Sequence, residues 1–220
     1  MSAIKGFLFD LDGVLVDTAR FHYLAWKRLA LEAFDFELTP ERNERFKGVN
    51  RVACMKLLCQ WTGAELSPKA FETLTDQKNG WYIEYVEKMT PEDVLPGAVD
   101  FVQQCRKAGL KCAIGSASKN CQLVLARTGL GPLFDAVSDG TVVSRAKPDP
   151  EVFLTAAGML DLDPSVCVVF EDAQAGIEAA KAGGMKAVGI CVPGALTGCD
   201  AEYPGLYAVK LEELLSRLNS

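Results

Sequence analysis

The chain has 220 residues, 49% of them hydrophobic and 24% charged, and a formal net charge of −6. These values describe a folded globular protein and exclude a disordered or low-complexity chain, while the acidic balance leaves no basic footprint for nucleic acid. The late uncharged run Ala187–Cys199 is too short to cross a bilayer, and Asp10 and Asp12 come too early for a secretory leader, so a cytoplasmic protein with no membrane partner is expected.

In chain order, the first element is the apolar run Ile4–Leu11, too short for a helix and rich in Phe and Leu, which reads as a buried strand. The stretch from about Thr18 to Met89 then reads as helices throughout: Ala19–Phe34, Pro40–Phe46, Arg51–Trp61 and Pro68–Met89. Residues 18–89 carry 11 Lys+Arg against 10 Asp+Glu, whereas the rest of the chain carries 12 against 19, so the insert differs in charge as well as in pattern. Strand-like runs follow at Leu110–Ser116, Ser165–Asp172 and Met185–Ile190. They alternate with helix-like segments at Val99–Ala108, Lys119–Leu130, Glu151–Leu160 and Ala175–Gly183, with Gly109, Gly129 and Gly184 at the expected C-caps. Tyr203–Ser220 reads as a last strand and an amphipathic helix.

This alternation predicts an α/β fold, a Rossmann-like parallel sheet with helices on both faces. Residues 1–17 and 90–220 are expected to form that core and residues 18–89 an inserted helical cap. The eight cysteines do not suggest disulfides. Cys112, Cys167 and Cys191 sit in apolar strand runs, Cys54 and Cys59 in a helical pattern, there is no CxxC, and His22 is the single histidine. Reduced thiols are expected, not a zinc site.

Sheets of this kind bind ligands at the carboxyl ends of their strands, and four strand ends here deliver polar groups. The first delivers Asp10 and Asp12, with Gly13 allowing a sharp turn. Two close carboxylates repel unless a cation or separate roles justify them: one can attack phosphorus while the other transfers a proton. The plain alternative is a solvated turn. The second end, GSASKN, is a natural anion cradle with Lys119 nearby, unless Ser118 is only an N-cap. The third element, RAKPDP, offers Lys147 as a point charge for phosphoryl oxygens, or as a loop lysine in water. The last end brings Glu171 and Asp172, which suit Mg²⁺ or cap the following helix.

FDLDGVLVDT, GSASKN, AKPDP and FEDAQAGIEAA, in this order and each after a strand, resemble the haloacid dehalogenase (HAD) superfamily of phosphotransferases over essentially the whole chain. Within the insert, Thr18, His22 and Trp26 at i, i+4, i+8, FKGVNR at Phe46–Arg51 and QKN at Gln77–Asn79 resemble its hexose-phosphate mutases. The resemblance implies an enzyme that interconverts β-glucose 1-phosphate and glucose 6-phosphate, with β-glucose 1,6-bisphosphate as primer and intermediate; a monomer is expected, although no residue pattern fixes the oligomeric state.

It implies Asp10 as the nucleophile that becomes a phospho-aspartate and Asp12 as the general acid/base. Mg²⁺ would be held by the Asp10 carboxylate, the Asp12 carbonyl and Asp172, with Glu171 close by. Ser116, Ala117 and Lys147 would hold the transferring phosphoryl group, and Arg51, Ser118, Lys119 and Asn120 the other phosphate. Lys47 and Gly48 would border the sugar, on which Trp26 also faces, while Thr18, His22 and Lys78 couple cap closure to Asp12.

A mutase needs such a cap because a phospho-aspartate is readily hydrolysed and water must be excluded. The familiar cap motif KGVSR has Asn50 in place of its serine here, so altered sugar contacts are expected. A phosphatase of the same superfamily would share the core; His22, Lys47, Arg51 and Lys78 favour the mutase. A catalytically dead sugar-phosphate sensor would lack a nucleophile or a metal acid, and neither is missing.

Overall fold

A computed structural model describes residues 3–47 and 49–219; Gly48, expected beside the sugar, lies outside the described residues. Six strands pair in parallel: β1 (Gly6–Phe9), β2 (Lys111–Gly115), β3 (Ala136–Ser138), β4 (Cys167–Glu171), β5 (Lys186–Ile190) and β6 (Ala201–Tyr203). Their spatial order is β3-β2-β1-β4-β5-β6, so β1 is central and its neighbours lie in opposite sequence directions. That reversal opens a crevice at the carboxyl ends of β1 and β4.

Strand periodicity sorts the core into two layers. Phe7, Phe9, Ile114, Phe170 and Val188 face one side, packing with α5 (Ala98–Lys107), α6 (Cys121–Thr128) and α9 (Leu211–Asn219). Leu8, Ala113, Val169 and Ala187 face the other, against α7 (Glu151–Met159) and α8 (Gln174–Ala182). Phe9 and Phe170 are register partners, and their rings stack with centroids 4.8 Å apart. This apolar clamp holds Asp10 and Glu171, the next residue on each strand, side by side.

Residues 18–89 fold as α1 (Ala19–Phe34), α2 (Pro40–Asn43), α3 (Arg51–Thr62) and α4 (Pro68–Val86). They share a separate apolar cluster around Trp26, Leu29, Phe46, Met55 and Leu58. Thr39, Asn50 and Ser67 cap α2, α3 and α4 through their side-chain oxygens, and Pro40 and Pro68 open two of these helices. No described helix is long and apolar enough to cross a membrane.

Several boundaries differ from expectation. Residues 44–46 form a 3₁₀ turn and not part of one α-helix. Helix α4 stops at Val86, short of Met89, as the chain approaches Pro91. Strand β3 departs from the sequence reading: three residues at a sheet edge, two half-buried and one buried, carry too little pattern. Strand β6 lies just upstream of its expected start at Tyr203. All eight cysteines are free, as expected.

Candidate active site

The crevice between the strand ends and helices α1, α3 and α4 holds a cavity of about 430 Å³. From the core it is lined by Asp10, Asp12, Asp172, Lys147 and the loop Ala117–Asn120; from the helical insert, by His22, Trp26, Lys47, Arg51 and Lys78. Thr18, Ser116 and Glu171 are buried behind this lining.

The acidic centre is built by strand register. Asp10 N donates to Phe170 O at 2.9 Å, and Lys147 Nζ lies 2.6 Å from both Asp10 Oδ1 and Glu171 Oε1. Burial alone would lower the pKa of Lys147, but the two carboxylates overcome it and hold the ammonium charged. The Lys147–Pro148 bond is cis. Glu171 also accepts from Ala173 N at 2.8 Å through Oε2, so it serves the start of α8 as well as the ion pair. Burial pushes Glu171 up to about 7 against the pull of Lys147. Asp172 is raised by burial, then by Glu171 and Asp10.

Oxygens of Asp10, Glu171 and Asp172 lie within 4.8 Å of one another. An all-carboxylate donor set with more negative charge than Lys147 neutralises fits a hard divalent cation and not a soft one. The Asp12 carboxylate is not part of that cluster. Two glycines make room for it. Gly13 has φ +87°, and a Cβ there would strike the Asp172 carboxylate; a Cβ on Gly176 of α8 would strike Glu171.

Asp12 is governed by the insert. Thr18, at the N-terminus of α1, makes no side-chain cap and instead donates its hydroxyl to Asp12 Oδ1. His22 Nε2 is 4.0 Å from Asp12 Oδ2, and His22 Nδ1 is 2.8 Å from Lys78 Nζ of α4. With Lys78 donating, Nδ1 is the acceptor and the ring proton sits on Nε2, facing Asp12. Burial, then Lys78 and Arg51, lower the His22 pKa and keep the ring neutral. Burial also pulls Lys78 down to about 7. Asp12 is pushed up to about 6 by burial and then by Asp10, with Thr18 opposing. A carboxyl that titrates near neutrality can both give and take a proton.

The loop after β2 is folded by two hydroxyl turns. Ser116 Oγ accepts from Ser118 N, and Ser118 Oγ accepts from Asn120 N, each at 3.1 Å. Ser118 is therefore not the N-cap of α6, which is Asn120. Ala117, Ser118, Lys119 and Asn120 line the cavity, a tight polar loop with a lysine that suits an anion. Asn120 Nδ2 donates to Asn79 Oδ1 of α4 at 2.9 Å.

On the other side, Arg51 opens α3. Its Nη1 lies 3.4 Å from Thr75 O and 3.7 Å from Asp76, and burial lowers its pKa. Trp26 packs edge-on against Phe46, under the Lys78 ammonium at 5.0 Å. Lys47 pairs with Glu44 at 2.9 Å. Asn50 lines the cavity, but its Oδ1 accepts from Ala53 N at 2.9 Å as the N-cap of α3. Asparagine thus stands where the familiar motif has serine and serves as an equivalent cap.

Asn79 and Asn43 also line the cavity and were not among the expected site residues. Asn79 stands beside Lys78 in the QKN motif, which was the available signal; Asn43 had none.

Residues 4–184 match the haloacid dehalogenase-like hydrolase family. The chain is 40% identical over 199 residues to the β-phosphoglucomutase of Bacillus subtilis, covering 90% of this chain and 88% of that protein. It is 33% identical over 187 residues to the fructose-1-phosphate phosphatase YqaB of Escherichia coli, covering 84% and 95%. The crystal structure of β-phosphoglucomutase from Clostridium difficile superposes with a TM-score of 0.93 at 31% identity, covering 98% of this chain and 97% of that one. By these matches the chain is a phosphotransferase-type enzyme that belongs to the haloacid dehalogenase-like hydrolase family.

Proposed function

We propose that this enzyme is a Mg²⁺-dependent β-phosphoglucomutase, interconverting β-glucose 1-phosphate and glucose 6-phosphate through a phospho-aspartate on Asp10 and β-glucose 1,6-bisphosphate. The observation that carries this reading is the Lys78–His22–Asp12 chain, which ties the acid/base to a helix of the insert. A hydrolase of the same fold needs only the core acids. Here the acid is oriented by two groups that arrive with residues 18–89, which act as a closing cap.

In the first half-reaction Asp12 takes the proton of the sugar's 6-hydroxyl, whose oxygen attacks the phosphorus on Asp10; the P–O bond to Asp10 breaks and the bisphosphate forms. The sugar then turns over. In the second half-reaction the Asp10 carboxylate attacks the 1-phosphate, the bond from phosphorus to the sugar oxygen breaks, and Asp12 returns the proton to that oxygen.

Lys147 and the Ser116–Ala117 backbone hold the transferring group, and Arg51 with Ser118, Lys119 and Asn120 hold the other phosphate. Mg²⁺, held by Asp10, Asp172 and the Asp12 carbonyl with Glu171 beside them, would neutralise charge on the transferring phosphoryl group. Trp26, Lys47 and the closed cap exclude water from the phospho-aspartate.

The second reading is a sugar-phosphate phosphatase, favoured by the 33% identity to a fructose-1-phosphate phosphatase. One assay separates the two: β-glucose 1-phosphate, Mg²⁺ and a trace of β-glucose 1,6-bisphosphate, following glucose 6-phosphate and free phosphate together. Glucose 6-phosphate with little free phosphate is expected; free phosphate as the main product overturns the mutase reading.

A further inference from the structure

Two buried side-chain polar atoms have no hydrogen-bond partner among the described residues, the hydroxyls of Tyr82 and Ser138. Tyr82 is fully buried in α4, one turn beyond Lys78. Its ring stacks on His22 with centroids 4.0 Å apart and planes 18° from parallel, and Lys78 Nζ lies 4.9 Å from the same ring. It does not line the cavity, so it does not touch a substrate there. Phenylalanine would fill the same space and stack the same way without burying a hydroxyl that nothing accepts. Packing alone therefore does not account for the oxygen.

Its surroundings suggest one. The groups that act on the hydroxyl are Asp12 and Cys121 by charge and Ser118 and Thr18 as hydrogen-bonding side chains, neither of which meets hydrogen-bond geometry with it here. Thr18 has given its only hydroxyl hydrogen to Asp12 and keeps free lone pairs. Ser118 Oγ accepts from Asn120 N and keeps its hydrogen to donate. One hydroxyl between them completes a donor sequence in which every member donates once: Ser118 to Tyr82, Tyr82 to Thr18, Thr18 to Asp12. Burial, and then the neighbouring Asp12, raise the pKa of Tyr82 well above its ordinary value, so it stays protonated as a donor.

We propose that Tyr82 is a positioning residue, whose hydroxyl links the anion-binding loop at Ser118 through Thr18 to Asp12 as the crevice tightens on its ligand. An anion on the loop would then help to orient the acid/base before transfer. The inference rests on the roles given above to Asp12 and Ser118, and extends them to a side chain that meets neither sugar nor phosphate.

The test is Tyr82→Phe in the full chain, assayed with β-glucose 1-phosphate, Mg²⁺ and the priming bisphosphate, with thermal unfolding alongside. The expected result is a kcat lower by about five- to tenfold, KM within about twofold, and a melting temperature unchanged or raised. In a double-mutant cycle with Ser118→Ala, the two losses in kcat should be clearly less than additive, because either variant breaks the same link. An unchanged kcat, a melting temperature that falls with kcat, or additive losses would overturn the proposal. If the wild type releases mainly free phosphate, the mutase reading fails separately. Tyr82→Phe is then judged on phosphate release, which uses the same Asp12.

Discussion

Asn120 donates from its side-chain amide to the side-chain oxygen of Asn79 at 2.9 Å, joining the loop after β2 to helix α4. This bond ties the anion cradle of the core directly to the helix that carries Lys78. In the proposed function, closure of the insert is therefore linked to the loop by a contact that either partner's loss would break.

Replacing Asn79 with Ala should loosen that closure while leaving the apolar core untouched. The expected result is a rise of about three- to tenfold in the ratio of free phosphate to glucose 6-phosphate, with a melting temperature within about two degrees of wild type. An unchanged product ratio would show that the bond does not serve water exclusion.

Asp10→Asn removes the proposed nucleophile and one of the two carboxylates that hold Lys147. Turnover should drop by at least about a thousandfold, and intact-protein mass spectrometry should find no phosphorylated species after incubation with the bisphosphate. Retained turnover, or a phosphoryl adduct on the variant, would move the nucleophile elsewhere.

Arg51 lines the same cavity as Asp10 and Asp172, steadied by Thr75 O and Asp76. Arg51→Ala should raise KM for the priming bisphosphate by about tenfold or more, with Mg²⁺ affinity within about twofold of wild type. A parallel loss of both would place Arg51 at the metal and not at the second phosphate.

The raised carboxyls make stability depend on pH in a definite direction. Asp12 at about 6 and Glu171 at about 7 both sit above their ordinary values, and Asp172 is raised as well. Through these three groups the folded protein binds more protons than the unfolded chain across this range, while His22, held neutral by burial, opposes them up to its ordinary value. These groups contribute stability that is fully present below about pH 4 and is lost as pH rises through 6 to 7. Lys147, raised and charged throughout, contributes evenly over that window.

Metal-free protein should thus melt at progressively lower temperature between pH 4.5 and 6.5, and Mg²⁺ should restore stability at the upper end more than at the lower. Asp172→Asn should flatten the slope and abolish most of the Mg²⁺ effect. A melting temperature that rises across the window in metal-free wild type would mean that the carboxyls are not destabilised by burial and mutual repulsion.

The fold and most of the site were legible in the chain because their signals are local. Apolar runs ending in acids mark β1 and β4, Gly13 follows Asp12 where a sharp turn is needed, and Pro68 marks the start of α4. The edge strand β3 escaped because three residues are too few to show a period. The end of α2 in a 3₁₀ turn escaped because propensity does not separate those states over three residues.

The sequence by itself determined a parallel α/β core with a helical insert, and the acids, lysines and arginine that stand around the crevice, since residue type and spacing suffice for both. Only the tertiary structure decided how they are shared out. Lys147 is locked between Asp10 and Glu171, Thr18 gives up capping α1 to hold Asp12, Asn120 bonds to Asn79, and Tyr82 stacks on His22 with a hydroxyl unpartnered among the described residues. The physical reason is range: hydrogen-bond geometry and burial depend on separations of a fraction of an ångström between residues far apart in sequence, and no local pattern records them.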